Sequence, residues 1–148
     1  MTIALQFTDA LGKAVSFSKT VSESDVYLFA GITGDFSPNH VDEVYMSKTP
    51  YGHRIAHGAL LVGYMSRAST LVTDKCPALM ATHFPVSLGY DRIRFLNGVP
   101  IGDTITVSYA ITAVDAEKLR TSAKVEVHNQ HGALCAAANH IMRWIAHG

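Results

Sequence analysis

Residues 57–72 read HGALLVGYMSRASTLV, and this stretch decides the fold. Its apolar side chains recur at helical spacing, which predicts an α-helix that begins at His57 and runs to Val72. Arg67 is its only charge, so the helix is apolar over most of its circumference. A helix of that composition is buried, and we expect a sheet to wrap around it.

The C-terminal half of the chain supplies the strands of that sheet. Apolar and polar side chains alternate along several extended segments, which Asn97–Pro100 and the hairpin turn Asn129–Gly132 interrupt. The predicted strands cover 86–95, 104–113, 119–127 and 134–145. We therefore predict a single α+β domain over residues 1–148, in which a meander of long antiparallel strands follows one buried helix.

The N-terminal part is predicted to mix extended and helical segments. Residues 2–7 and 14–19 alternate weakly on either side of a glycine, the pattern of a short hairpin or a sheet edge. Ser22 precedes acidic residues and is a good N-cap, which predicts a helix over about Glu23–Thr33. Residues 41–48 have the length of one or two helical turns.

Composition excludes several classes of function. The chain carries 12 basic and 12 acidic residues, and this zero net charge indicates neither a nucleic-acid partner nor a membrane surface. Its two cysteines, Cys76 and Cys135, are too few for a secreted disulfide scaffold, so we expect a cytoplasmic protein with reduced thiols.

The residues with catalytic chemistry lie just before the buried helix. An apolar helical run stops at Gly34, and Asp35 and His40 follow five residues apart across a turn that contains Pro38. A carboxylate and an imidazole on one turn can share a water molecule, as the addition of water across a double bond requires. The spacing alone leaves a plainer interpretation open, in which Asp35 caps the turn and His40 is a hydrogen-bonded loop residue.

His57 and Gly58 stand where the buried helix begins. Unpaired N–H groups and the helix dipole favour negative charge there, so the Gly58 amide is a candidate donor to an oxyanion. The absence of a side chain would let a carbonyl group approach. The alternative is a glycine needed only for close packing at the helix entry. We expect His57 to shape the pocket or the helix start and not to act as a base.

These motifs together resemble the MaoC-like dehydratases, also called (R)-specific enoyl-CoA hydratases or hydratase 2. The resemblance covers roughly residues 15–146 and rests on Gly34–Asp35-x-x-Pro38-x-His40, Val41–Asp42–Glu43, Gly52 to Gly58, Arg94–Phe95, Val99 to Asp103 and Asn129–Gln130-x-Gly132. It implies a hot-dog fold, in which an antiparallel sheet wraps a central helix. The chain departs from the hydratase signature at Ser37, Asn39 and Met46, which bears on the acyl group accepted more than on the chemistry.

The resemblance implies reversible hydration of trans-2-enoyl-CoA to (R)-3-hydroxyacyl-CoA. In that reaction Asp35 activates water, His40 assists and donates a proton, and the Gly58 amide holds the enolate oxygen. The CoA thioester is the substrate, and no cofactor is expected. The family assembles as homodimers or dimers of dimers, so we expect this chain to do the same.

Three further residues have expected roles in substrate binding. Ser66 lies 26 residues after His40, where family members place a serine that supports the site water, and it is expected to face Asp35. A small residue that permits tight packing is the alternative. Arg92 and Arg94 alternate with apolar residues, which predicts that they share a strand face with Tyr90, and a CoA phosphate is a candidate partner for the two arginines. A solvated face or a subunit salt bridge is the alternative for the arginines.

Two functions other than hydration stay open, and a metal site is not expected. The hot-dog fold also hosts acyl-CoA thioesterases, and some family members act only as one half of a heteromeric dehydratase, so a non-catalytic acyl-thioester-binding subunit is the second alternative. His53 and His57 are the only histidines four residues apart, and Pro50 and Gly52 oppose a helix there, so we expect no metal. The acyl chain length and the carrier, CoA or acyl-carrier protein, stay open.

Overall fold

The computed structural model describes residues 1–148. In chain order its helices are α1 (Ile3–Ala10), α2 (Glu23–Thr33), α3 (Pro38–Val41), α4 (Glu43–Met46), α5 (Gly58–Thr73) and α6 (Pro77–Met80). Its strands are β1 (Ala14–Thr20), β2 (His83–Phe95), β3 (Thr104–Asp115), β4 (Arg120–Asn129) and β5 (Leu134–Ala146). None of the helices combines the length and the apolar character needed to cross a bilayer.

The five strands form one sheet in the order β1-β3-β4-β5-β2. Every pairing is antiparallel, so β3, β4 and β5 are a meander while β1 and β2 occupy the two edges. At the turn between β4 and β5, Asn129 accepts hydrogen bonds through Oδ1 from the backbone N–H groups of His131 and Ala133. The predicted α+β architecture with a long antiparallel sheet is confirmed.

One face of the sheet packs on α5 and builds the core. Alternate side chains of the central strands are fully or almost fully buried, as a period of two requires: Ile105, Val107, Tyr109, Ile111, Ala123, Val125 and Val127. The helix contributes a matching buried stripe, which includes Leu61, Met65, Ala68 and Val72.

The sheet covers only one side of α5. Ala59, Gly63, Ser66 and Thr70 follow one another at helical spacing on the opposite side, and all four are exposed. The single chain therefore buries one side of α5 against the sheet and leaves the other side exposed. Arg67 lies beside this stripe, with its guanidinium 4.5 Å from the centre of the Phe17 ring.

The N-terminal segment differs from the prediction. Residues 3–7 belong to helix α1, and Thr2 caps it with a side chain that accepts from the backbone N–H of Leu5. Phe7 and Ala10 are buried one turn apart and anchor this helix to the core, which a strand of the same residues would not do. The edge strand predicted at 14–19 is confirmed as β1, and its partner is β3.

Candidate active site

The site begins where helix α2 ends. Ser22 and Asp25 form a capping box at its start, and α2 covers the predicted residues Glu23–Thr33. It ends at Gly34, which takes a left-handed conformation with a φ of 80° that glycine adopts without strain. Because the chain turns away at Gly34, Asp35 projects at the end of the helix and the short helices α3 and α4 follow.

Arg54 holds the segment between α2 and α5 in place. Its Nη1 donates to Glu23 of α2 at 2.7 Å, and its Nε donates to Glu43 of α4 at 3.0 Å. The backbone N–H of Arg54 also donates to Glu43, at 3.1 Å. These bonds raise the pKa of Arg54, chiefly through Glu23, and lower the pKa of Glu43, chiefly through the Arg54 backbone.

One ring nitrogen of His40 is hydrogen-bonded within the protein, and the other is not. The ring is buried on α3, and its Nδ1 lies 2.7 Å from the main-chain carbonyl oxygen of Ile55. A carbonyl oxygen only accepts, so Nδ1 carries a proton and donates it there. Nε2 makes no hydrogen bond within the protein and is left for a reactant.

Asp35 is held by its backbone while its carboxylate stays accessible. Its Oδ1 accepts from the backbone N–H of Ser37 at 3.2 Å, and its main-chain carbonyl accepts from Nε2 of His57 at 2.9 Å. Oδ2 lies 4.0 Å from the same Nε2, and the side chain is 51% exposed. The carboxylate is thus oriented but open to water.

His57 lies against both of these groups. Its ring is 2% exposed and stacks on the His40 ring, with the centroids 3.7 Å apart and the planes inclined by 26°. Phe29 contacts it at a centroid distance of 4.7 Å. Nδ1 of His57 is buried and has no hydrogen-bond partner. The polar atoms of Asp35, His40 and His57 lie within 4.8 Å of one another, a trio that the sequence spacing did not reveal.

Gly58 lies in the wall of a pocket of about 290 Å³ that also includes His40. Leu61, Phe95 and Val99 are among the apolar residues that line it. Gly58 is the first residue of α5, so its N–H has no partner within the helix, and it forms no other backbone hydrogen bond. The pocket therefore joins an apolar wall to His40 and to the first residue of α5, whereas Asp35 and His57 are not among the residues that line it.

The structure does not bring Ser66 to Asp35. Ser66 is exposed on α5, and no hydrogen bond joins it to Asp35 or His40. Its main-chain carbonyl accepts from the Ser69 hydroxyl at 2.7 Å. The Tyr90 hydroxyl lies close to both serines, and burial raises its pKa.

Arg92 and Arg94 lie outside the pocket. The pairing of β2 with β5 shifts by one residue between Asp91 and Arg94, and Arg92 takes a positive φ of 54°, so a bulge interrupts the predicted alternation. Tyr90 points inward and stacks on buried His140 at a centroid distance of 4.1 Å, whereas both arginines are exposed. The prediction of one shared face for the three residues is wrong.

A second buried polar cluster was missed by sequence reasoning. His140 on β5 is fully buried, with Nδ1 2.8 Å from the Tyr109 hydroxyl and Nε2 2.8 Å from the Ser87 hydroxyl. Burial lowers the pKa of His140 to about 4. The alternation of β5 could have predicted this burial, because His140 lies between Ala138 and Met142 on the face of the strand that points inward.

Comparison with known proteins identifies the family. Residues 6–133 match the family model described as a MaoC like domain. The chain belongs to the MaoC-like dehydratase family. It is 39% identical over 107 residues to the (R)-specific enoyl-CoA hydratase of Rhodospirillum rubrum, an alignment that covers 72% of this chain and 69% of that protein.

Solved structures agree with this family. The (R)-hydratase from Aeromonas caviae involved in PHA biosynthesis superposes with a TM-score of 0.77 at 26% identity, over 90% of this chain and 95% of that one. A hot-dog-like protein from Thermanaerovibrio acidaminovorans superposes with a TM-score of 0.67 at 15% identity, over 99% of this chain and 89% of that one. The predicted family and the predicted hot-dog fold are both confirmed.

Proposed function

We propose that this protein catalyses the reversible hydration of trans-2-enoyl-CoA to (R)-3-hydroxyacyl-CoA. The observation that carries the proposal is that His40 and Gly58 line one pocket, while the Asp35 carboxylate lies 4.0 Å from Nε2 of His57, whose ring stacks on His40. The relative from Rhodospirillum rubrum, named an (R)-specific enoyl-CoA hydratase, supports the same reaction.

The proposed reaction adds the elements of water to the double bond. Asp35 accepts a proton from water as its oxygen bonds to C3, and the π electrons move toward the thioester carbonyl to form an enolate. The N–H of Gly58 donates to the enolate oxygen, where the dipole of α5 also favours negative charge. The proton that Asp35 took from water then passes to Nε2 of His40, which delivers it to C2, so both side chains return to their starting states.

We further propose that the protein acts as a homodimer in the cytoplasm and binds acyl-CoA as substrate, with no cofactor. Strand β2 is a sheet edge that exposes the apolar side chains of Phe84, Val86 and Leu88, and a second copy would cover them. Cys76 and Cys135 are buried and unpaired, as suits a reducing compartment.

Two measurements on one reaction mixture test the proposed function. Purified protein is added to crotonyl-CoA, the enoyl-thioester absorbance is recorded, and a thiol reagent reports free CoA in parallel. We expect the absorbance to fall without thiol release. Replacement Asp35→Asn should lower kcat by about 10²-fold or more because the base is lost. Asp74→Asn is the matched control at the exposed C-terminus of α5 and should leave kcat unchanged.

Other outcomes would contradict the proposal. Release of thiol would identify an acyl-CoA thioesterase. Tight binding of crotonyl-CoA with neither signal would identify a non-catalytic acyl-thioester-binding subunit. Full activity of the Asp35→Asn protein would exclude the carboxylate as the base.

A further inference from the structure

His57 is joined to all three groups of the proposed site. It donates Nε2–H to the main-chain carbonyl of Asp35 at 2.9 Å, stacks on the ring of His40 at 3.7 Å, and directly precedes Gly58 in the chain. At 2% exposure the ring is shielded, so water does not compete for the hydrogen bond.

The unpaired nitrogen of His57 indicates why a histidine is present. Nδ1 is buried without a partner, and an unsatisfied buried acceptor is destabilising. A phenyl ring would fill the same space between Phe29 and His40 without that cost. The benefit of an imidazole therefore lies in the other nitrogen, whose N–H reaches the Asp35 backbone.

We propose that His57 is the positioning residue of the site, which fixes the carboxylate of Asp35 and the ring of His40 relative to the Gly58 amide. The hydrogen bond sets the orientation of the Asp35 peptide, and with it the direction in which the carboxylate leaves the backbone. The stacked ring covers one face of His40 and limits its rotation. This inference rests on the proposed hydratase function.

The role requires a larger effect on turnover than on substrate binding. A misplacement of about 1 Å at a reacting group costs about 10²-fold in rate. We therefore expect His57→Phe, which keeps the ring and loses the donor, to lower kcat by about 10- to 100-fold and to change KM by less than about threefold. His57→Gln supplies an N–H donor without the ring and should recover part of the loss. His131→Gln, in the exposed turn after β4, is the matched control and should be unaffected.

A measurement without substrate tests the geometry itself. Proton–nitrogen correlation spectra of the ¹⁵N-labelled wild-type protein should show His57 as the Nε2–H tautomer, and the signals of His40 should shift in the His57→Phe protein. A His57 found as the Nδ1–H tautomer would overturn the inference. So would a folded His57→Phe protein whose kcat is within about twofold of wild type. Where the Phe variant does not fold, His57→Leu, which also lacks the donor, carries the same test. Failure of the wild type to hydrate crotonyl-CoA would refute the proposed function, while the spectra would still test the contact.

Discussion

The ring of Phe95 lies 2.8 Å from the point that a Cβ atom would occupy at Gly58. Real Cβ atoms essentially never lie so close to another atom, so any larger residue at position 58 would require the Phe95 ring to move. Phe95 and Gly58 line the same pocket. The Phe95 ring thus occupies the space into which a side chain at position 58 would project.

Replacement Gly58→Ala should lower kcat by about 10- to 100-fold because the methyl group displaces Phe95 and crowds the approach to the amide. The melting temperature should fall by only a few degrees, since Phe95 is 53% exposed and can rotate outward. Gly31→Ala is the matched control: the glycine is in helix α2 with open space around its Cβ position. Equal kcat values for the two variants would show that the Gly58 amide does not contact the reactants.

Replacement Arg54→Met should loosen the segment that carries the proposed catalytic groups. It removes the side-chain bonds to Glu23 and Glu43, which belong to two different helices, and keeps the backbone bond to Glu43. We expect a small loss in unfolding free energy, because exposed ion pairs contribute little to stability, and a several-fold lower kcat. Chemical denaturation and crotonyl-CoA kinetics measure the two effects. Lys118→Met removes an exposed pair with Asp115 at 3.4 Å and should change neither, so an equal loss there would remove any special role for Arg54.

Acid should destabilise the protein through His140. Its pKa is about 4 in the folded protein, against 6.5 in the unfolded chain, so the unfolded state binds the proton first as the pH falls. Stability is then complete above pH 6.5 and is lost progressively toward pH 4, by up to about 3 kcal/mol. Urea unfolding at several pH values measures this slope. His140→Gln should flatten it and His131→Gln should not; a slope unchanged by His140→Gln would assign the acid sensitivity elsewhere.

Removal of metal ions should leave hydration unchanged. Asp35, His40 and His57 are close enough together to serve as ligands, but the proposed chemistry needs only a base, an acid and an amide donor. We expect dialysis against a chelator to preserve kcat. If chelation abolished activity and added zinc restored it, the carboxylate and imidazoles would have to be reassigned as ligands.

Sequence periodicity was sufficient for the elements that are long and repeat regularly. The buried stripe of α5 and the alternation in β3 and β4 each extend over ten or more residues. That length is enough to separate a helical period of 3.6 from a strand period of two. Residues 2–7 offered only six positions, too few to separate a period of two from one of 3.6. The family resemblance correctly predicted the hot-dog fold, and the relatives' names agree with the predicted class of reaction.

Contacts between distant parts of the chain could not be predicted in the same way. The bulge at Arg92 arises from the pairing of β2 with β5, so the alternation of residues 90–95 could not predict it. The stacking of His57 on His40 joins the two ends of a segment that Arg54 binds to α2, and such a contact is not visible in the residue order. Asp35 and His40 were found as a pair because they are near in sequence, whereas their contacts with His57 needed the three-dimensional path of the chain.

Helix α5 connects the core of the protein to the proposed site. Its first residue is Gly58, and Met65 and Val72 fix it two and four turns further along, with no exposed area at all. Successive turns of an α-helix are joined by backbone hydrogen bonds, so we expect a change in side-chain volume at Met65 to move Gly58 together with the rest of α5. Packing in the core would then set the position of the proposed oxyanion donor.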